Sequence, residues 1–292
     1  MNMIGRRKIW YALSLLILIP GLISLMLRGL NLGIDFTGGS KLELHFEHAV
    51  TVEQVRTVLD NANIGKTEVQ LAEGNNVIVR THPLDQSQRN QLLESMKGQV
   101  GELSIRSDQT IGPTIGQELA RNALLALLLA AIGMVAYISY RFEFKFAVAA
   151  IVALFHDILV VAGLFSIFYI EVDSTFVAAI LTVFGYSIND TIVIFDRIRE
   201  NLRKKKKDEP MDALVNRSVT ETMTRSIITV LMVIFVLVAL LFWGGASTRV
   251  FNLAMLIGVI SGAYSSIFNA SPIWYDLKQI EKAQRRAKMK AA

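Results

Sequence analysis

The chain has 292 residues, 52% of them hydrophobic, with 30 Lys and Arg against 25 Asp and Glu and no cysteine. A mean hydropathy of +0.43 excludes an ordinary soluble domain and puts much of the chain in a bilayer, while the lack of cysteine excludes disulfides, thiolate metal sites and cysteine nucleophiles. The net charge of +5 would suggest nucleic acid in a soluble protein, but here the basic residues flank apolar segments and act as topology signals, so no nucleic-acid partner is expected.

The first element, Ile9 to Leu27, follows the basic cluster Arg6, Arg7, Lys8 and is long enough to cross a hydrocarbon core of about 30 Å. It runs into Arg28 without a small-residue cleavage site, so residues 1–30 are expected to be a retained anchor and its short cytoplasmic lead rather than a cleaved signal. Pro20-Gly21 is a candidate kink. Residues 31–118 are polar and patterned. Lys41 to Phe46 alternates like a half-buried strand, and Thr51 to Ala62 reads as a helix with Thr51 and Gln54 in capping-box spacing. Glu68 to Leu71 and Val77 to Thr81 flank the hairpin signal Glu73-Gly74-Asn75-Asn76. Asp85 to Gln99 is a second amphipathic helix and Glu102 to Arg106 a last strand. The order βαββαβ predicts a ferredoxin-like domain, a fold that by itself indicates no function.

Five further apolar runs follow: Ala123 to Tyr140, Phe146 to Ile170, Phe176 to Phe195, Ile227 to Trp243 and Phe251 to Ile273. The expected fold class is therefore a membrane all-α bundle of six transmembrane helices with an inserted α+β domain. Residues 119–275 form the five-helix part with a cytoplasmic loop over 196–226, and residues 276–292 a basic cytoplasmic tail. With the N-terminus inside, the inside segments hold 20 of the 30 Lys and Arg, whereas the link after the third span carries Glu171 and Asp173 and the one after the fifth only Arg249. Both termini are accordingly expected in the cytoplasm and the polar domain outside. Lys204 to Lys207 would lie near anionic lipid headgroups.

An ionised Asp near mid-bilayer costs about 2.5 to 3.5 kcal/mol, so intramembrane polar groups require a reason. In the fourth span Thr182, Gly185, Tyr186, Asn189 and Asp190 follow i, i+3, i+4 spacing and form one polar stripe. Asp190 lies about two turns before the charged end marked by Asp196, Arg197 and Arg199, too deep for a short side chain to reach the interface. It is either a proton-carrying group or half of a structural salt bridge. Arg225, just before the fifth span, is its natural partner, or else an ordinary flanking arginine. His156 and Asp157 in the third span form a second titratable pair, able to carry protons or to fix helix packing as a neutral pair. His45, His48 and His82 show no metal-like clustering and read as surface residues. Gly258 and Gly262, continued by Ser265, Ser266 and Asn269, would let the sixth helix approach a neighbour closely. No phosphate-cradling glycine loop, nucleophile–base set or metal spacing occurs, so neither an enzyme nor a metal or cofactor site is expected.

Several segments in chain order resemble the SecF family. These are Gly33-Ile-Asp35-Phe-Thr-Gly38-Gly39, then Ile111-Gly-Pro113-Thr-Ile-Gly116-Gln-Glu118-Leu, His156-Asp157, the run GYSINDTIVIFDRIRE from Gly185 to Glu200, and Thr224-Arg225-Ser226. The fourth-span run is the most specific; the first element is shared with SecD. The resemblance implies half of an RND-type transporter in the bacterial inner membrane, with a SecD-like subunit supplying the other half. It further implies work beside a SecYEG-type translocon on exported polypeptides, with a proton gradient as energy source and no cofactor. Asp190, beside Asn189, and Arg225 match the residues tied to proton conduction. Asp35 matches the aspartate beside the outer domain, where Gly38 and Gly39 would act as a hinge. The competing expectations are an RND-type small-molecule or lipid exporter, for which the single small outer domain leaves little room for a substrate cleft, and a scaffold whose buried charges only pair.

Overall fold

A computed structural model describes residues 2–291 apart from 63, 65, 66 and 73, so Glu73 of the predicted hairpin turn lies outside the described residues. Two compact units result, Met1–Asn31 with Ala126–Ala292, and Leu32–Leu125. In chain order the elements begin with α1 (Arg7–Leu27), β1 (Asn31–Leu32), α2 (Ile34–Thr37), β2 (Gly39–Phe46), α3 (Val52–Asn61), β3 (Glu68–Ala72), β4 (Asn76–Thr81), α4 (Gln86–Gln99) and β5 (Leu103–Ile111). The rest are α5 (Pro113–Arg141), α6 (Phe144–Ile167), β6 (Glu171–Val172), α7 (Ser174–Arg203), α8 (Met211–Trp243), α9 (Arg249–Ser265) and α10 (Ser271–Ala291).

Within the second unit, β3-β4-β2-β5 form one sheet whose neighbours are all antiparallel. Strand alternation sends Leu42, Leu44 and Phe46 of β2, and Val77 and Val79 of β4, to one face, where Val55, Val58 and Leu59 of α3 and Leu92 and Met96 of α4 close the core. Both helices start on complete capping boxes, Thr51 with Gln54 and Asp85 with Gln88. The β3–β4 turn uses positive φ at Gly74 and Asn75, the residue types that tolerate it. β5 is longer than the predicted last strand because it continues along β2 past a register shift at Glu43/Leu44.

The two glycine-bearing segments of this unit meet. Gly38 has φ of +71°, and a Cβ there would stand 2.8 Å from Cα of Pro113; a Cβ on Gly116 would stand 2.8 Å from the Gly38 nitrogen. Hence Gly38 is needed both for its backbone conformation and for the close approach of the first turn of α5, which Pro113 opens at its N-terminus. Asp35 lies in the short α2 turn immediately before this contact.

Among the described residues six helices are long and apolar enough to cross a membrane: α1, α5, α6, α7, α8 and the continuous segment Arg249–Met289. Three boundaries differ from expectation. The connection expected over 196–226 is mostly helical, since α7 runs to Arg203 and α8 begins at Met211. Charges there mark where the chain leaves lipid rather than where helix ends, and i, i+3 and i, i+4 pairs such as Arg197–Glu200 and Glu200–Lys204 stabilise helix in water. Residues 276–291 of the expected tail likewise belong to the helix α10, pinned through Lys278–Glu143 and Lys145–Glu281. α5 starts ten residues ahead of its apolar run, at Pro113.

The helical unit is centred on α6, α7 and α9. Gly21 and Gly163 let α1 and α6 touch, a Cβ on Gly21 standing 3.0 Å from the Gly163 Cα, and α1 continues through Pro20. At another level Phe146, Phe195 and Trp274 form a fully buried aromatic cluster, with Phe146 and Trp274 stacked at 4.7 Å. The sixth span is a composite: one π-helical turn, Ser266–Ala270, joins α9 to α10. Such turns inside α-helices often accompany functional sites.

Candidate functional site

α7 presents polar groups on two sides. Tyr186, Ser187, Asn189 and Asp190 of α7 line a cavity of about 40 Å³ together with Thr229 and Val230 of α8, and Val259, Gly262 and Ala263 of α9. A single water needs only about 10–15 Å³ of such volume, so the cavity can hydrate Asp190. Thr182, further along the predicted stripe, is satisfied by its own helix through the Ala178 carbonyl at 2.8 Å, and it does not line the cavity. Gly185 is exposed.

The direct Asp190–Arg225 ion pair suggested by the sequence is not formed among the described residues. Arg225 stands on the exposed side of α8 and reaches Asp190 only through its field. Ser226, the next residue, is the one turned toward Asp190. Its hydroxyl is buried beside the carboxyl yet makes no well-formed hydrogen bond. Thr229, one turn further along α8, donates to the Arg225 and Ser226 carbonyls at 2.9 and 3.0 Å.

Behind the cavity lies a second carboxyl. Asp157 of α6 is completely buried. Its Oδ2 accepts from Ser187 at 2.6 Å and Ser265 at 2.7 Å, and its Oδ1 accepts from Ser261 at 2.7 Å and lies 3.0 Å from His156 Nδ1. His156 is also buried and its Nε2 has no partner among the described residues. A carboxyl in this surrounding is tolerable because every lone-pair direction is used. Gly262 makes the arrangement possible: a Cβ there would lie 3.1 Å from Ser187 Cβ and 3.6 Å from Asp157 Oδ2. Gly258 similarly admits Val183. The close contact predicted for the sixth span is thus filled within the chain, by α7.

The structure therefore gathers Asn189 and Asp190 at the cavity, with Asp157 and His156 behind Ser187, while Arg225 does not line it. Asp35, Gly38 and Gly39 belong to the other unit. Sequence reasoning assigned no role to Ser187, Ser226, Thr229 or Ser261. Their signal was the presence of hydroxyls in apolar spans, with Ser261 and Ser265 one turn apart; which carboxyl they serve depends on contacts between helices distant in sequence.

Residues 91–280 match the family described as protein export membrane protein SecD/SecF, C-terminal, and residues 23–50 match the SecD/SecF GG motif. The chain belongs to the SecD/SecF family. It is 40% identical over 293 residues to the protein translocase subunit SecF of Sebaldella termitidis, covering 99% of this chain and 95% of that protein. The SecDF protein of Bacillus subtilis is 42% identical over 275 residues, which are 92% of this chain and 37% of that longer one. Among solved structures, the crystal structure of SecDF from Thermus thermophilus, described as a translocon-associated membrane protein, superposes with a TM-score of 0.88 at 35% identity. That match covers 96% of this chain and 39% of that one, so this chain spans about two fifths of the SecDF chain. Family membership and the apolar helices together make this a multi-pass membrane protein of the SecD/SecF type.

Proposed function

We propose that this chain is a SecF-type subunit of the Sec protein-export machinery, which works with a SecD-like subunit and uses proton flow to assist late translocation of exported polypeptides. The observation that carries the reading is the near end-to-end likeness to proteins titled translocase subunit SecF. The SecDF protein of Bacillus subtilis, which this chain matches over 37% of its length, supports the SecD-like partner. The printed description of the Thermus relative supports a neighbouring SecYEG-type translocon. The excess of Lys and Arg in alternate connections supports cytoplasmic termini in the bacterial inner membrane. The antiparallel order β3-β4-β2-β5, with α3 and α4 as crossovers, supports a ferredoxin-like reading of the polar domain, placed outside.

Asp190 is the coupling group in this reading. It stands on a water-sized cavity where three helices meet, with Asn189 beside it, Arg225 supplying a cationic field, and His156–Asp157 behind. Protonation removes its charge and its attraction to Arg225, and the α7–α8 contact repacks. One charge crossing 100 mV releases about 2.3 kcal/mol, enough to shift a two-state equilibrium tens-fold. No cofactor or enzymatic step is involved. Asp35 and the tight Gly38–Gly39 turn are the junction at which helix movement passes to the outer domain.

The test is Asp190→Asn, which keeps shape and hydrogen-bonding capacity but cannot cycle a proton. The variant is expected to assemble with its membrane partners and to lose the gradient-dependent part of export of a secreted reporter. Export that still responds fully to the proton gradient would refute the coupling role.

A further inference from the structure

We infer that Asp157 is a positioning residue: through Ser187 it fixes the rotation of α7 so that Asp190 faces the cavity. The inference rests on the coupling role given to Asp190 above and assigns Asp157 a mechanical part in it.

Two contacts bracket Asp190 on its own helix. Ser187, three residues earlier, donates to Asp157 Oδ2 at 2.6 Å. Thr191, the residue after Asp190, bonds the Ser266 hydroxyl at 2.8 Å, and Ser266 in turn donates to the Ser187 carbonyl at 3.2 Å. Ser187, Thr191, Ser265, Ser266 and Asp157 are all at most 3% exposed. Consecutive helical residues are separated by 100°, so a side chain one position after Asp190 and another three before it bind α7 from the interior while Asp190 itself points to the cavity wall. Rotation of α7 by even a fraction of that angle would separate Ser187 from Asp157 and leave a buried carboxyl oxygen without one of its donors, which is costly where no water replaces it.

The carboxyl is built for two different attachments. Oδ2 receives α7 through Ser187 and α9 through Ser265, whereas Oδ1 receives α9 through Ser261 and the adjacent His156. Both serines of α9 hold the same helix, so losing Ser261 leaves α9 attached by Ser265. Ser187 makes the sole direct side-chain bond between Asp157 and α7 among the described residues. A hub that merely stabilised the bundle would feel the loss of Ser261 and Ser187 alike; a device that orients α7 feels chiefly the loss of Ser187.

Ser187→Ala, Ser187→Thr, Ser261→Ala, Asp157→Asn and Asp190→Asn would be compared in the full chain, co-expressed with its membrane partners and matched for assembly. Two readouts apply: gradient-dependent export of a reporter, and the rate at which a membrane-soluble carbodiimide modifies Asp190, followed by peptide mass spectrometry. Ser187→Ala should lower export about tenfold and change the Asp190 labelling rate by a comparable factor, the size expected for one hydrogen bond to a carboxylate. Ser187→Thr keeps the hydroxyl and should retain more of both than Ser187→Ala, whereas Ser261→Ala, which leaves α9 attached through Ser265, should change both clearly less than Ser187→Ala does. The double variant Asp157→Asn with Ser187→Ala should be no worse than the more severe single one, because one contact is lost in both. Equal losses in Ser187→Ala and Ser261→Ala, or wild-type behaviour of Ser187→Ala while Asp190→Asn is inactive, overturns the positioning role alone. Full gradient-dependent export by Asp190→Asn overturns the coupling reading, and the positioning role with it.

Discussion

Gly258→Ala tests whether α7 and α9 are held in contact by the absence of a single methyl group. A Cβ on residue 258 would stand 2.9 Å from Val183 Cγ1, 3.1 Å from its Cβ, and closer still to Cγ2. Val183 is fully buried and β-branched, so in a helix it has one strongly preferred rotamer and cannot swing aside. The substitution gains about 1 kcal/mol of helix propensity but costs about 1–3 kcal/mol of overpacking, leaving a net loss of about 1 kcal/mol. For a unit of roughly 200 residues that is a fall of about 2–4 °C in thermal unfolding, measured on detergent-solubilised protein. Val183→Ala should be destabilising alone, through lost burial and a cavity. Combined, the methyl added at residue 258 fills part of the space left by the two methyls removed from residue 183, and the pair should be more stable than the sum of its parts by at least about 0.5 kcal/mol. A Gly258→Ala protein at or above wild-type stability, or strict additivity in the pair, would refute the close-contact argument.

A reporter active only outside the cytoplasm is expected to work when fused at Gln70 or Gly245 and to fail at Lys205 or after the last residue; the reverse pattern would invert the orientation. Leu44→Ala, at a fully buried position of β2, should destabilise the sheet domain by about 2–5 kcal/mol, read as faster hydrogen exchange of β2 and β4 amides. A change under about 1 kcal/mol would mean that Leu44 is not in the core.

The spans were legible because lipid imposes one long apolar run per helix, and the sheet domain because strand alternation and capping residues act within a few positions, as at Lys41 to Phe46 and Thr51–Gln54. Helix ends were less legible. Beyond lipid, helix is sustained by local ion pairs and not by hydropathy, so the charged segment from Arg197 to Arg225 hid two helix ends. Asp190 and Asp157 stood out because charge in lipid is rare. Their partners did not: the serines on Asp157 come from positions 30, 104 and 108 residues away along the chain. The orientation of Arg225 is hidden for a related reason. Position along two adjoining helices gives the depth, but whether Arg225 or Ser226 faces α7 depends on the rotation of α8, whose first half mixes polar and apolar residues and whose second half is apolar on every side.

That rotation bears on what must cover the helical unit. Asn189 and Arg225 are exposed, Asp190 is only partly buried, and Tyr186 is 45% exposed, so one side of the α7–α8 pair carries polar atoms at membrane depth. Lipid cannot hydrogen-bond these groups, and leaving one unsatisfied costs several kcal/mol. Elsewhere the exposed residues are those lipid accepts, such as Leu124, Leu128 and Leu129 of α5. The two surfaces should therefore behave differently in a membrane. In this cysteine-free chain, single cysteines at Tyr186 and Asn189 are expected to crosslink to a partner membrane protein and to react poorly with lipid-soluble maleimide, whereas cysteines at Leu124 and Leu128 should react freely and not crosslink. Free reaction at all four positions, with no crosslinked partner, would mean that the polar side of α7 and α8 is hydrated without a second bundle, and the half-transporter arrangement would have to be abandoned.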